Sequence, residues 1–436
     1  SVEKVEEKDS ANIDIGGLFD NLSFPSIASI IIGGANFVST KVMHDNRDFL
    51  NYFAADVGQL KHPAKVLWLT DTFADKNGIA LSLNNYLQEI CKNDLPVDFL
   101  VCDNFIKPAD HLKVIRPIGE YQIPVYKDQL VRIPNIMEIH EIFKSGGYDR
   151  IICSTEFPMG LAGLYLKKAF NIPAYFFMHT DWVEFAKQAL DLPSDNLNRL
   201  TRMLRSMYRS YDKLFVLNSD HKNWLAGRKF AIKKEKIIEI KHWVDPIFSP
   251  GDRSGTKPQT GKNREIKFLF VGRISEEKGV LDCIDIIKDV EKKVSNVRML
   301  FVGQGPAEKH IKKNLPNAEI LNWVDQKELP DIYRDADMLL FPSHFDTFGR
   351  VVLEAMSCGL PVAAYNEKGP KDIIGDSKGG ILQNSKKLLT AEIIRVLSKK
   401  GELNRMKKEA VKRSELFKQE SLFSHFIKEI GLEDRK

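Results

Sequence analysis

The sequence predicts an α/β protein built as two facing Rossmann-like domains with a cleft between them, and three observations predict it. At 436 residues the chain exceeds what one hydrophobic core usually organises. From about residue 65, short apolar runs alternate with segments of helical period, the pattern of a parallel sheet covered on both faces. After the stretch 249–264, with three glycines, two prolines and no apolar side chain, the same alternation starts again. Hydrophobic residues at 43% and charged residues at 28% exclude a wholly disordered chain and a polytopic membrane protein.

In the first unit, Lys65–Thr70, Val97–Cys102, Arg150–Cys153, Ala174–His179 and Lys213–Leu217 read as strands, and Ile79–Cys91 as a helix with Ile79, Leu83, Leu87 and Ile90 on one face. In the second, the strands are Ile266–Val271, Arg298–Val302, Ile320–Asn322, Met338–Phe341 and Pro361–Tyr365, and the chain from Ala391 onward is helical and charged. The boundaries drawn are an extension of unknown role at 1–60, a first domain at 61–248, a second at 249–405 and a helical segment at 406–436. Asn21–Thr40 has no charged residue, but Pro25, Gly33, Gly34 and Asn36 interrupt it, so a buried strand and loop around Ile30–Ile32 is favoured over a membrane span.

Five widely spaced cysteines support neither a disulfide framework nor a metal site, which suits a reducing cytoplasm. No secretion signal is readable at the start of the chain. The formal net charge of +5 is uneven: residues 1–60 carry four cations against nine acids, and 196–244 twelve against four. The cationic surface is therefore local, and no nucleic-acid partner is predicted. Within it, Arg199, Arg202, Arg205 and Arg209 recur on one face of Asn198–Tyr211 and Leu200, Met203, Leu204, Met207, Tyr208 and Tyr211 on the other. That helix is either core-packed with solvated arginines or a contact for anionic lipid headgroups.

Two segments carry chemistry. Phe270-Val271-Gly272-Arg273-Ile274-Ser275-Glu276-Glu277-Lys278-Gly279 sets a glycine turn and two cations at the carboxyl end of a strand, where open α/β sheets bind ligands and a helix start attracts anions. Solvated basic residues after a strand are the alternative. The stretch Phe341–Pro361 places Asp346 in a loop and Glu354 one turn inside a helix beginning near Gly349, leaving the amides of Phe348 to Val351 as open donors for an anion. Carboxylates beside a phosphate site suit sugar hydroxyls better than phosphate. The alternative is that Asp346 caps a helix and Glu354 is solvated, which sits poorly with its neighbours Val351, Val352, Leu353, Ala355 and Met356.

With seven residues between Asp346 and Glu354, this stretch resembles the acidic pair of the retaining, nucleotide-sugar-dependent glycosyltransferases of family four (glycosyl transferases group 1), which have the GT-B fold. The family usually has Glu at the first position, where this chain has Asp346. The resemblance implies that Arg273 and Lys278 neutralise the donor diphosphate beside Gly272, that Glu354 holds the ribose, and that Asp346 contacts the transferred sugar. It also implies donor contacts from Thr347, Phe348, Gly349 and Arg350. Asn77-Gly78 looks like the first-domain loop that approaches the donor, and Phe177-Met178-His179-Thr180-Asp181 looks like the family's His segment, implying His179 near the sugar. A lone His at a strand end also reads as a structural hydrogen-bonding residue. Gly303-Gln304-Gly305 and Asn322-Trp323-Val324 resemble the lining of the base. Lys241-His242-Trp243-Val244-Asp245 departs from the family's pattern, and Trp243 is expected to pack the hinge. Asp335-Ala336-Asp337 reads as a cap or loop, so no metal or other cofactor is expected.

The expected activity is retaining, metal-independent transfer of a hexose from a nucleoside diphosphate sugar to a hydroxyl of a glycan or lipid-linked acceptor, in the cytoplasm and in peripheral contact with a membrane surface. A nucleotide-sugar-binding protein without transfer activity, or an epimerase on the same frame, is the alternative.

Overall fold

The computed structural model describes residues 24–58, 64–75, 77–122, 130–188, 192–251, 265–344 and 346–433. In chain order its strands are β1 Val66–Thr70, β2 Val97–Cys102, β3 Leu112–Ile115, β4 Pro117–Gln122, β5 Leu130–Pro134, β6 Arg150–Cys153, β7 Ala174–Phe177, β8 Lys213–Val216 and β9 Ile237–Glu239. Then follow β10 Ile266–Val271, β11 Val297–Val302, β12 Glu319–Leu321, β13 Met338–Phe341, β14 Val362–Tyr365 and β15 Gly380–Gln383. One sheet has the order β3-β2-β1-β6-β7-β8-β9 and the other β12-β11-β10-β13-β14-β15, with every pairing in both parallel. β4 and β5 form a separate antiparallel hairpin.

β1 is buried at every residue because helices cover both faces of its sheet, which is why it reads as a continuous apolar run rather than an alternation. Helix Gly78–Lys92 buries Ala80, Leu83, Tyr86 and Ile90 along one stripe, and helix Pro158–Phe170 closes the other face through Met159, Ala162 and Leu166. The strands outside the predicted set are short or polar: β4 is largely exposed, and β9 has three residues. The five cysteines are free, four of them buried.

The last helix, Gln419–Glu429, leaves the second domain and packs on the first. The Phe426 ring lies 5.3 Å from Trp68 and 4.7 Å from Tyr86 between centroids. Arg150 Nη1 donates to the Ile430 carbonyl at 2.8 Å, and Lys213 Nζ donates to Glu429 Oε2 at 2.8 Å. One apolar cluster therefore runs from Trp68 through Trp243 and Phe348 to Phe417 and Phe426, joining both domains.

The strand and loop expected around Ile30–Ile32 are instead part of helix Phe24–His44. A short apolar run does not distinguish strand from helix by itself, and here the helical spacing of Phe37, Thr40 and His44 turns one face onto the first domain. Phe37 meets the Tyr165 ring at 5.5 Å, Thr40 Oγ1 lies 3.4 Å from His140 Nε2, and His44 meets Phe170 at 5.2 Å. Val42 and Met43 point to solvent. Among the described residues, no helix is long and apolar enough to cross a membrane. The connection expected at 249–264 lies outside the described residues from 252 onward.

Burial of Phe426 in the first domain's core predicts that Phe426→Ala costs about 3–5 kcal/mol of stability. Urea denaturation measures this, and a loss under about 1 kcal/mol would show that the helix is not part of that core.

Candidate active site

The site begins at the carboxyl ends of β10 and β11, where two turns pack backbone against backbone. A Cβ on Gly303 (φ 139°) would sit 2.0 Å from the Gly272 carbonyl oxygen, so the approach requires glycine. Ile274 N donates to the Gln304 carbonyl at 2.9 Å. The chain then makes a short turn at Glu276–Lys278 and passes through Gly279 (φ 79°), where a Cβ would lie 2.0 Å from the Pro342 carbonyl. This close fit starts helix Val280–Glu291 against the loop after β13 and brings Lys278 Nζ to 2.9 Å from Asp346 Oδ2. Arg273 stands exposed beside them, and Val324 is half-buried in the loop after β12, next to an exposed Trp323.

Asp346 Oδ1 accepts from the amides of Phe348 at 3.3 Å and Gly349 at 2.6 Å, at the start of helix Arg350–Ser357. Burial acts to raise this carboxyl, but Lys278 and the two amides outweigh it and hold it below the usual carboxylate range. Asp346 is therefore ionised. Two of the four amides expected to be open to an anion are taken by Asp346 instead, because the loop folds its own carboxylate onto the helix start. Glu354 is buried, not solvated. Its Oε2 accepts from Tyr333 OH at 2.9 Å and its Oε1 from Arg350 Nε at 2.9 Å. Burial pushes its carboxyl up, with Arg350 and Tyr333 opposing. Arg350 Nη2 is buried without a hydrogen-bond partner.

In the first domain, Asn77 caps helix Gly78–Lys92, its Oδ1 accepting from Ile79 N at 3.0 Å and Ala80 N at 2.9 Å. A Cβ on Gly78 would meet nothing within 4 Å, so the fold itself does not demand glycine there. No hydrogen bond among the described residues joins Asn77 or Gly78 to the second domain. His179 follows β7 and is buried with both ring nitrogens unpartnered, so it is not a structural hydrogen-bonding residue. Its ring stacks on Phe177 at 4.5 Å and lies parallel to His242 at 5.6 Å. Burial holds the His179 imidazole down to about 3, and burial together with His179 and Arg350 holds His242 well below its ordinary value. Both rings are neutral at pH 7.

Polar contacts close one side of the cleft. Thr347 Oγ1 donates to the His179 carbonyl at 2.9 Å, and Asn218 Nδ2 donates to the Thr347 carbonyl at 2.5 Å. Ser219 N donates to Asp372 Oδ2 at 2.7 Å, and Lys371 Nζ donates to Asp220 Oδ1 at 2.8 Å. Lys368 takes a left-handed backbone (φ 45°), with its Nζ 3.7 Å from Asp181 Oδ2. That conformation is unfavourable for a lysine and is held by these cross-domain contacts. Asp335 and Asp337 pair with Lys267 at 2.8 Å and Lys407 at 3.1 Å, ahead of β13 and at the opposite end of the strand from Asp346.

Residues 76–247 match Glycosyltransferase Family 4, and residues 252–413 match Glycosyl transferases group 1. The chain belongs to the group 1 glycosyltransferases of the GT-B fold. It is 24% identical to alpha-monoglucosyldiacylglycerol synthase of Streptococcus pneumoniae, over 77% of this chain and 78% of that one. It is 23% identical to a GDP-mannose-dependent alpha-mannosyltransferase of Corynebacterium glutamicum, over 74% and 78%. Among solved structures, sucrose-phosphate synthase from Thermosynechococcus elongatus superposes with a TM-score of 0.68 at 17% identity, covering 84% of this chain and 99% of that one. Anabaena HepE in complex with UDP superposes at 0.64 and 15% identity, with the same coverage.

Four residues of this glycosyltransferase's cleft escape sequence reasoning: Asn218, His242, Tyr333 and Lys368. His242 alone had a signal, since it lies in the stretch that departs from the family pattern. Its neighbour Trp243 packs the hinge as expected, 4.5 Å from the Tyr86 ring and 5.7 Å from Phe423. Tyr333 and Asn218 lie 21 and 129 residues from the groups they bond, so no local pattern marks them.

The buried histidines give a signed pH dependence. An unfolded histidine titrates near 6.5 and folded His179 near 3, so its contribution to stability is complete above pH 6.5 and is lost as pH falls towards 3. His179→Leu, which removes two unpartnered nitrogens, is expected to flatten the loss by up to about 1.4 kcal/mol per pH unit in that window. Chemical denaturation at pH 7.5 and pH 5 measures it; an equal slope in wild type and variant would place His179 in water.

Proposed function

We propose that this glycosyltransferase moves a sugar from a nucleoside diphosphate sugar to an acceptor hydroxyl with retention at the anomeric carbon. The observation that carries the reading is the meeting of His179, with both ring nitrogens buried and unpartnered, and the Asp346–Arg350 loop through the Thr347 bond. An unpartnered buried polar group costs about 1–3 kcal/mol, a cost removed when hydroxyl groups of a bound sugar supply the missing bonds.

Glu354 is the ribose contact, buried and fixed by Arg350 and Tyr333. Gly272 and Gly78 leave space for the diphosphate on either side of the cleft, the base lies by Val324, and Arg273 and Lys278 supply positive charge at the leaving group. As the bond from the anomeric carbon to the diphosphate oxygen breaks, negative charge develops there, and one preorganised donor is worth about 3–4 kcal/mol to such a step. Asp346 is ionised and His179 neutral, so Asp346 accepts a hydrogen bond from a sugar hydroxyl and neither delivers a proton. The acceptor's proton goes to the departing phosphate as the new carbon–oxygen bond forms on the same face. The side-chain cations make this charge stabilisation independent of a divalent metal. The transferred sugar is a hexose, and the acceptor is a hydroxyl of a glycan or lipid-linked substrate reached from the cytoplasm at a membrane surface. The alpha-monoglucosyldiacylglycerol synthase of Streptococcus pneumoniae, named for a lipid product, supports that acceptor class.

Arg273→Ala and Lys278→Ala are each expected to lower turnover by on the order of a hundredfold with the fold intact. Donors are first chosen by the rise in melting temperature they cause; turnover is then measured as acceptor-dependent nucleotide release in excess EDTA, with the anomeric configuration of the product read by NMR. Inversion, release without acceptor, or strict magnesium dependence would each contradict the corresponding part of the reading.

A further inference from the structure

Helix Ser194–Arg209 buries Leu204, Met207 and Tyr208 against the first domain, and its outer face borders a recess of about 570 Å³. Arg199, Arg202, Arg205 and Lys229 line this recess, with Asp195 the one carboxylate among its described lining residues. The side chains of Arg199, Arg202 and Lys229 make no hydrogen bond or ion pair among the described residues. Arginines at successive steps of three repel one another along a helix, so the cluster works against the helix that carries it.

The loop bearing Lys229 is fastened over these arginines. Arg209 Nε donates to the Phe230 carbonyl at 2.9 Å, Arg209 Nη2 to the Ala231 carbonyl at 3.4 Å, and Arg205 Nη1 to the Lys229 carbonyl at 3.5 Å. Trp224 packs on Phe230 at 4.3 Å, and Ala231 holds a left-handed φ of 48°, an unfavourable conformation for alanine. A strained, pinned loop thus adds a fourth cation to three that already lack counter-charges. One turn on from Arg199, Met203 is 57% exposed, although its spacing assigns it to the apolar face. The recess holds guanidinium forks, which match phosphate oxygens bidentately, and the exposed Met203 stands outside its lining, one helical turn on from Arg199.

We propose that this recess binds the phosphate of an anionic lipid headgroup, with Met203 entering the acyl boundary, and so seats the first domain on a membrane surface. A phosphate on a soluble compound offers the same oxygens, but the exposed methionine beside the arginines fits a lipid interface. The inference gives a site to the membrane-surface contact of the proposed function, and it is tested separately from transfer because headgroup binding is measured with no donor or acceptor present.

Sedimentation of the full chain with vesicles of phosphatidylcholine, with and without phosphatidylglycerol, tests it. The chain is expected to pellet only with phosphatidylglycerol at low salt, and to be released by added sodium chloride. The variant Arg199→Ala/Arg202→Ala/Lys229→Ala is expected to bind on the order of a hundredfold more weakly, about fivefold per cation removed, with a melting temperature no lower than that of the wild type, since it relieves the repulsion along the helix. No binding by the wild type at low salt, or equal binding by the variant, overturns the proposal. A rise in melting temperature with inorganic phosphate that the variant loses, without vesicle binding, assigns the recess to a soluble phosphate and also overturns the lipid assignment.

Discussion

The two hydrogen bonds of Thr347 set the geometry on which the cleft depends. The hydroxyl donates to the His179 backbone and the carbonyl accepts from Asn218, so a single residue of the second domain is held by two loops of the first. Thr347 lies between Asp346, which pairs with Lys278, and Phe348, whose amide Asp346 also holds. Gly369 presses against the Phe348 backbone, where a Cβ would sit 2.2 Å from its carbonyl group, and the following residues clip to Ser219 and Asp220. Domain closure and the position of the Asp346–Arg350 loop are therefore one structural variable. Packing reinforces it, since the apolar cluster joining both domains contains Phe348 itself.

Within this frame, neighbouring groups are driven to different protonation states by their surroundings. Asp346 stays charged because a lysine and two amides offset its burial. Glu354, one turn into the helix, is pushed the other way by burial although Arg350 touches it. His179 and His242 are neutral because burial disfavours their charged forms, and at His242 the neighbouring His179 and Arg350 add to the effect. His179 and Arg350 Nη2 keep buried polar groups that no group of the protein bonds among the described residues.

The parts of this arrangement legible in the sequence are local ones. Strand β10 with its glycine turn, and the Asp346–Glu354 spacing on a loop and helix, depend on residues near each other in the chain, and apolar period and glycine position report them. The helix at Phe24–His44 was not legible, because an isoleucine run followed by two glycines suits strand and helix equally until the helix's partners Tyr165, His140 and Phe170 are known. Nor was the return of Phe426 to Trp68, a contact between opposite ends of the chain. Asp346 capping its own helix was open as an alternative, and the structure adds the detail that this uses amides expected to face a ligand. The cross-domain bonds of Asn218 and Lys368 depend on tertiary placement alone, and ordinary polar residues in loops carry no signal of it.

On the proposed reading, the Thr347 tie sets the sugar end of the donor site through His179. Calorimetric titration of a nucleoside diphosphate sugar, and of the same nucleoside diphosphate without its sugar, into wild type and Thr347→Val tests it most directly. Loss of one hydrogen bond of about 0.5–1.5 kcal/mol predicts that the variant binds the nucleotide sugar several-fold more weakly and the bare nucleotide unchanged. An equal loss for both ligands, or no loss for either, would show that Thr347 does not position the sugar end of the site.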